Sequence, residues 1–560
     1  MRSDITRDTF APGKHFSRVI RQQGRVDIDA DSNEQTSILL HYLRTLALDL
    51  IGPYARPTMT PGFALANDTN QNLWIGAGRY YVDGILVENE ISCVYERQPF
   101  NRLPNDDPLA KALRDKPNER YWVYLDVWER HVTSIEDDSI REKALGGPDT
   151  CTRAKVIWQV KALDAGQNAL TERRNRRRQW LTSKLTALEA LLTKASSQLA
   201  KGKIQQQINK VKGQLLVLNK PAPTNLAAEC PFLLDYVFPV SDASMGARVD
   251  PGSQIVDACV MSPDSKYRGA ENQLYRVEIH RGGLAGEAAT FKWARDNGSL
   301  ATAWLGTSGY DLDVANARGF TAGNWVELTD DVAELRGLPG VLARLTKVEG
   351  GTLSVDPNSV QNSNALQWSN GLVNPKLRRW DHFATEDTVL ETDGSILIKG
   401  TPVGTSDDAA TWIDLEDGIQ VQFAEGGEYR TGDYWLIPAR VATGSIEWPR
   451  ALSDSQFKMT AQIAPHGVVH HYAPLGFVKW ANQILEIELC NCEFGPLSSC
   501  FAARPRSFVD IDVDADLPAG EMTSPDQSTS DAPPPERPAR GTPRTGAKKS
   551  PRRATKKGGE

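Results

Sequence analysis

The chain has 560 residues, 40 % apolar and 24 % charged, with 44 Gly, 33 Pro and 14 Trp; this balance excludes a fibrous or wholly disordered protein and predicts several globular domains. Formal net charge is -7, but residues 533–560 hold nine Lys or Arg against Glu536 and Glu560, so the rest carries -7 - 7 = -14. An acidic body excludes nucleic-acid binding there and leaves it only to the basic tail.

Gly24 to Asp31 alternates like a short strand and runs into Asp31-Ser32-Asn33-Glu34, good helix-start chemistry. Ile38, Leu39, Tyr42, Leu43, Leu46 and Leu50 then recur at three and four, and Gly52-Pro53 ends the helix. Its apolar face is expected to be buried by docking. Asp83-Gly84 between Tyr80-Tyr81-Val82 and Ile85-Leu86-Val87 predicts a two-residue hairpin. Tyr121 to Trp128 reads as a strand with aromatics on one face, and Lys155 to Val160 as another. Leu181, Leu185, Leu188, Leu192 and Leu199, then Ile204, Ile208, Val211, Leu215 and Leu218, form two stripes of period 3.5. They predict an antiparallel helical hairpin turning at Gly202, with Leu188 near Leu215 and the basic run Arg173 to Arg178 at its base.

Strand signals return from Tyr275 to Trp448. Asp296-Asn297-Gly298 is a turn after Phe291-Lys292-Trp293, and Gly350-Gly351 turns a hairpin over Leu345 to Val355. Gly323-Asn324-Trp325 and Gly432-Asp433-Tyr434 each feed an aromatic-led strand. After Asp516 the composition collapses to small, polar and basic residues that cannot offset their ordering entropy. The expected fold is mainly β, with small barrel or sandwich units, one N-terminal helix, an inserted helical hairpin and a disordered C-terminal tail. The expected divisions are 1–165, a helix plus β domain; 166–222, the hairpin; 223–505, a β-rich body of one or two units; and 506–560, an acidic-then-basic tail.

Charges run through the first fifteen residues, so no signal peptide of the usual type is predicted. No stretch approaches the ~18 apolar residues of a membrane span. The expected location is cytoplasmic, with release in an extracellular particle left open. Cys93, Cys151, Cys230 and Cys259 are scattered singly, which predicts small buried thiols and no disulfide framework.

His466, His470, His471, Cys490, Cys492 and Cys500 are the zinc candidates. A C-x-C pair is tighter than zinc-knuckle spacing, and adjacent histidines on a strand point to opposite faces. The expectation is therefore reduced, unmetallated thiols and histidines stacking at a strand end. Asp27, Asp29 and Asp31 open like a calcium loop, but Ser32 and Ile38 stand where its glycine and bidentate glutamate belong. Asp510, Asp512, Asp514 and Asp516 read as a solvated acidic run. Glu136, Asp137, Asp138, Arg141, Glu142 and Arg153 could pair carboxylates for hydrolysis, but the reading preferred here is a charged loop cross-linked by Arg141 and Arg153. There is no phosphate loop, G-x-S-x-G elbow or H-E-x-x-H. No catalytic residue, cofactor or enzymatic activity is expected.

Several longer motifs carry a resemblance. They are Arg7-Asp8-Thr9-Phe10, Gln22-Gln23-Gly24-Arg25-Val26, Gly78-Arg79-Tyr80-Tyr81-Val82-Asp83-Gly84, Ala144-Leu145-Gly146-Gly147-Pro148-Asp149-Thr150, Leu415 to Phe423, and Tyr429 to Trp435. Together they resemble an uncharacterised bacterial family whose members occur with phage-tail-like, contractile-injection-system gene clusters. The resemblance runs to about Leu497, omitting the hairpin. Its family pattern near the end looks like Cys-Arg followed by Phe and Pro-Leu, from which Cys492-Glu493-Phe494 departs. The resemblance implies a structural part of a tail-like particle, such as a baseplate or fibre-attachment protein. The partners it implies are other particle proteins and, as an alternative, further copies of the chain itself. The alternatives are a carbohydrate-binding or carbohydrate-active β-protein, from the many Trp, or a nucleic-acid-associated protein acting through its tail.

Overall fold

The computed structural model describes residues 1–496 apart from 105, 116–118, 166, 195–197, 220–228, 232–233, 235–242, 251–265, 362–365, 386–387, 389, 402–410, 426, 453–457, 482–483 and 491. Cys259, Cys500, the Asp510–Asp516 series and the whole expected tail lie outside the described residues.

Helix α1 spans Asp29–Ile51, and Gly52 ends it with φ +92 and an N–H donated to the Leu48 carbonyl. The expected strand before it does not form: residues 24–28 are irregular, and the Thr6 backbone N–H and hydroxyl hydrogen-bond to Asp29 at the helix start. Among the described residues nothing covers its apolar face, contrary to the expected docking. Only Ala30 and Ile38 are buried, while Leu39, Tyr42, Leu43, Leu46 and Leu50 stand exposed. The helix touches the body through the Asp83–Gly84 turn, where both φ values are positive. A side chain at Gly84 would collide with the Arg44 carbonyl, so glycine permits the close approach.

A four-stranded antiparallel sheet lies at the centre of the N-terminal half, ordered Ile484–Leu489, His471–Ala481, Arg120–Val132, Arg153–Asp164. Alternation on Arg120–Val132 serves two cores. Tyr121, Val123, Leu125 and Val127 pack with Phe63, Val82, Tyr95 and Leu109, the last on α2 (Pro108–Asp115). Trp122 and Tyr124 face the other way, toward Phe477, Cys230 and Cys490. The sheet therefore joins residues from both sides of the helical insert.

That insert is α3 (Gln167–Lys194) and α4 (Gln198–Asn219), held by Leu181, Leu188, Ile204, Ile208, Val211 and Leu218. Gly202 lies inside α4 rather than at the turn, because a solvent-facing helix tolerates one glycine at about 1 kcal/mol. Arg174 donates to the Leu218 carbonyl and Lys212 pairs with Glu189 at 3.1 Å across the hairpin, and Leu188 and Leu215 belong to the one core between the helices. The basic run does sit at the base, where Arg177 pairs with Glu428 at 3.2 Å. The hairpin core is separate from the others, and one half-exposed ion pair is worth little. Excising 170–220 across a short Gly/Ser linker should leave a soluble, cooperatively folding protein with reduced helical circular dichroism. Aggregation on excision would make the hairpin part of the main core.

Two further β units follow. In the first, Gln273–Arg281 lies between Thr290–Ala294 and Tyr434–Arg440. Its Tyr275, Val277 and Ile279 pack with Phe291, Trp435, Phe423 and Tyr429. The second is a closed six-stranded barrel of Ala301–Ser308, Asp311–Val314, Thr352–Val355, Val341–Glu349, Trp325–Thr329 and Lys376–Trp380. Leu312, Val326, Leu328, Leu345 and Leu377 fill it, and α5 (Asp331–Leu335) leaves one rim, capped by Asp330. The fold is mainly β, as expected. The two Gly-Asn/Asp turns serve different units, one the barrel and one the open sheet. No helix among the described residues is long and apolar enough to cross a membrane.

Candidate functional site

On strand Gln273–Arg281 the residues alternating with the apolar ones are Arg276, Glu278 and His280, all buried. The barrel strands do the same: Glu327 stands beside Arg378 in register, outside the barrel core, with Lys376 and Trp380 on that face. Two charged faces thus bury one another, and the N-terminal segment enters between them. The Asp296-Asn297-Gly298 turn receives it, with Asn297 donating to the carbonyls of Ser3 at 2.8 Å and Met1 at 3.2 Å.

Arg2 pairs with Glu278 at 2.8 Å and Glu334 at 3.4 Å. Arg276 meets Glu278 at 2.6 Å, and Lys292 meets Glu327 at 2.5 Å and Glu278 at 3.5 Å. The other Glu327 oxygen accepts from the Trp380 indole at 2.9 Å. Arg130, from the central sheet, reaches Asp331 at 2.5 Å and Glu334 at 2.8 Å. Lys376 joins Glu334 at 2.8 Å, Asp331 at 3.3 Å, and Glu136.

Burial alone would raise the Glu278 carboxyl; Arg2, Arg276 and Lys292 reverse this and hold it well below the usual range. Glu327 and Glu136, also buried, are brought down to about 2, the first chiefly by Lys292 and the second by Lys376. Burial and Lys292 lower His280 to about 4, so its imidazole is neutral at pH 7. The network borders a cavity of about 700 Å³, whose wall also includes Tyr124, Trp128, His470 and Tyr472.

Among the described residues, the one set of three or more potential metal ligands within 4.8 Å of one another is Glu136, Asp331 and Glu334. Arg130, Lys376 and Arg2 are already paired with it. The zinc candidates are dispersed. His466 stacks on Tyr434, His470 contacts Asp126 at 2.7 Å, and His471 contacts Asp83 at 2.8 Å. Cys490 is disulfide-bonded to Cys230, which corrects the expectation of reduced thiols and of a buried Cys230 without a partner. The two lie 260 residues apart and meet only because both flank the central sheet. Cys492 is a free, exposed thiol; Cys151 is exposed too, not buried as expected, and Cys93 is half-buried.

The charged loop also resolves residue by residue. Glu136 is drawn inward to Lys376, while Asp137 caps Ser139, Asp138 pairs with exposed Arg141, and Glu142 accepts from the Ala144 N–H. Arg153 donates to the Cys151 and Thr152 carbonyls and, among the described residues, pairs with no carboxylate. In the calcium-like series Asp27 pairs with Arg21 and Asp29 accepts from Thr6. Sequence reasoning missed Arg2, Glu278, Glu327, Lys376 and Arg378. The available signal was charge in mid-strand alternating with Tyr, Val, Ile and Trp, which elsewhere marks a solvated face.

Fold and site together define a multi-unit β-protein with an ion-paired interior. The chain belongs to a family of unknown function (DUF6519), whose sequence profile matches residues 1–559. No curated protein matches it. A solved structure described as the crystal structure of TssK is similar at 10 % identity, covering 65 % of this chain and 99 % of that one; its TM-score of 0.13 carries no argument.

Proposed function

We propose that the protein is a structural, non-catalytic component of a phage-tail-like particle of the contractile injection class, such as a baseplate or fibre-attachment protein. The observation that carries this reading is α1. Leu39, Leu43, Leu46 and Leu50 step by four, three and four, the spacing of a helix–helix seam, and all four are exposed with Tyr42 beside them. A helix so apolar on an otherwise compact body fits a subunit that is finished by contact with a neighbour. The sequence resemblance to an uncharacterised family that occurs with phage-tail-like gene clusters points the same way. The charged interior supports it by having its carboxylates paired with fixed cations, which leaves none poised as acid or base.

The carbohydrate reading rests on tryptophan; Trp122, Trp158, Trp293, Trp380 and Trp435 are fully buried and cannot stack a sugar, which leaves it to rings such as exposed Trp368 and Trp128 on the cavity wall. The nucleic-acid reading rests on residues outside the described structure. Sheathed particles purified from the producing cell and analysed by mass spectrometry should contain this polypeptide at a reproducible stoichiometry. Its consistent absence from intact particles would remove the proposal.

A further inference from the structure

The ionic network has six cations, Arg2, Arg130, Arg276, Lys292, Lys376 and Arg378, against five carboxylates, Glu136, Glu278, Glu327, Asp331 and Glu334. Five of the cations each lie within ion-pair distance of at least one of these carboxylates. Arg378 does not: it has no carboxylate oxygen within 4.0 Å among the described residues. It is 3 % exposed, donates one N–H to the Gly298 carbonyl, and leaves its buried Nε without a partner. A buried charge without a counter-ion is strongly unfavourable, and a protein retains one where something else supplies the opposite charge.

Arg378 lines the cavity. Of the other charges on its wall, Arg44 is balanced by Glu129 and Lys161 by Asp126, while Arg336 adds a further cation. The wall also holds a set of rings, with Trp128 against His470 at 4.7 Å and His470 stacked on Tyr472. A volume of about 700 Å³ is that of a small-molecule site.

We propose that this cavity binds a small organic carboxylate with a flat apolar body, its single negative charge balancing Arg378 and its body lying against the Trp128, His470 and Tyr472 rings. The ligand completes the charge balance of the interior and stabilises the junction of the three β units. Burial and Arg2 bring the Arg378 guanidinium down to about 10, against the opposing pull of Glu334, Glu278 and Glu327, none of which lies within ion-pair distance of it. The site does not depend on assembly into a particle, so its test stands apart from that of the proposed function.

Sodium benzoate is the probe. Titrated into the full chain against sodium chloride at equal ionic strength, it should give a saturating rise in Tm and a measurable heat of binding. Arg378→Met should weaken benzoate binding at least about tenfold, the loss expected for a charge-assisted hydrogen bond. Without benzoate, Arg378→Met should be as stable as the parent or more so, because it removes an unpaired buried charge. No saturable response of the parent protein to benzoate overturns the proposal, whatever the variant does. A response matched by chloride overturns the carboxylate assignment. Marked destabilisation by Arg378→Met in benzoate-free buffer shows that the protein itself balances Arg378, and overturns it too.

Discussion

Replacing Leu43 and Leu46 on α1 with glutamate should abolish self- or co-assembly while leaving the Tm of the chain unchanged. Both side chains are more than half exposed, at 62 % and 56 %, so the isolated subunit loses no packing. In a helix–helix seam each leucine contributes roughly 1.5–3 kcal/mol, so the pair is worth about 3–6 kcal/mol, or some two to four orders of magnitude in association constant. Two buried glutamates would add a desolvation penalty on top. Sedimentation equilibrium on the parent and the double variant, alone and mixed with particle extract, reads the effect directly. A double variant that assembles like the parent would show that this ridge is not an interface.

The second large effect is expected at Lys376, which is 1 % exposed. Lys376→Met leaves Glu136, Asp331 and Glu334 to share Arg130 and Arg2, and removing one partner from a buried ionic network costs about 3–5 kcal/mol. The pH dependence follows from the carboxyls. In the parent, Glu136 and Glu327 are held near 2 when folded, against an ordinary value of 4.5. The stability they contribute is therefore complete above pH 4.5 and is lost as pH falls toward 2. In Lys376→Met the stranded carboxyls are pushed up instead, so acidification from pH 7 to 5 should recover part of the deficit. Urea midpoints for both proteins at the two pH values test this. A deficit under 1 kcal/mol, or one that grows at pH 5, would show that Lys376 does not hold this cluster.

What could be read from the sequence was what short-range chemistry decides. Asp83-Gly84 admits the positive φ values its hairpin needs, and the 3.5-residue leucine spacing needs a facing helix whatever surrounds it. Gly202 misled because glycine in a helix is a weak penalty, easily outweighed by a packed seam. The α1 stripe is legible as an apolar face that docks, but periodicity says that a face is apolar and not who covers it. The ionic interior was opaque for a related reason. Glu278 or Lys376 alternating with apolar neighbours looks the same whether its face meets water or another charged face. The Cys230–Cys490 bond depends on tertiary proximity alone.

The pairing of Arg120–Val132 with His471–Ala481 also sets a timetable for biosynthesis. The central strand leaves the ribosome roughly 350 residues before its partner, a wait of roughly 20–70 s at ordinary elongation rates. For that interval Tyr121 to Trp128, an aromatic run made for burial on both faces, has only Arg153–Asp164 beside it. The nascent chain thus carries an open, sticky sheet edge through most of its translation, and slow codons or scarce holdase chaperones should lower the yield of soluble protein more than they do for chains whose strands pair in order.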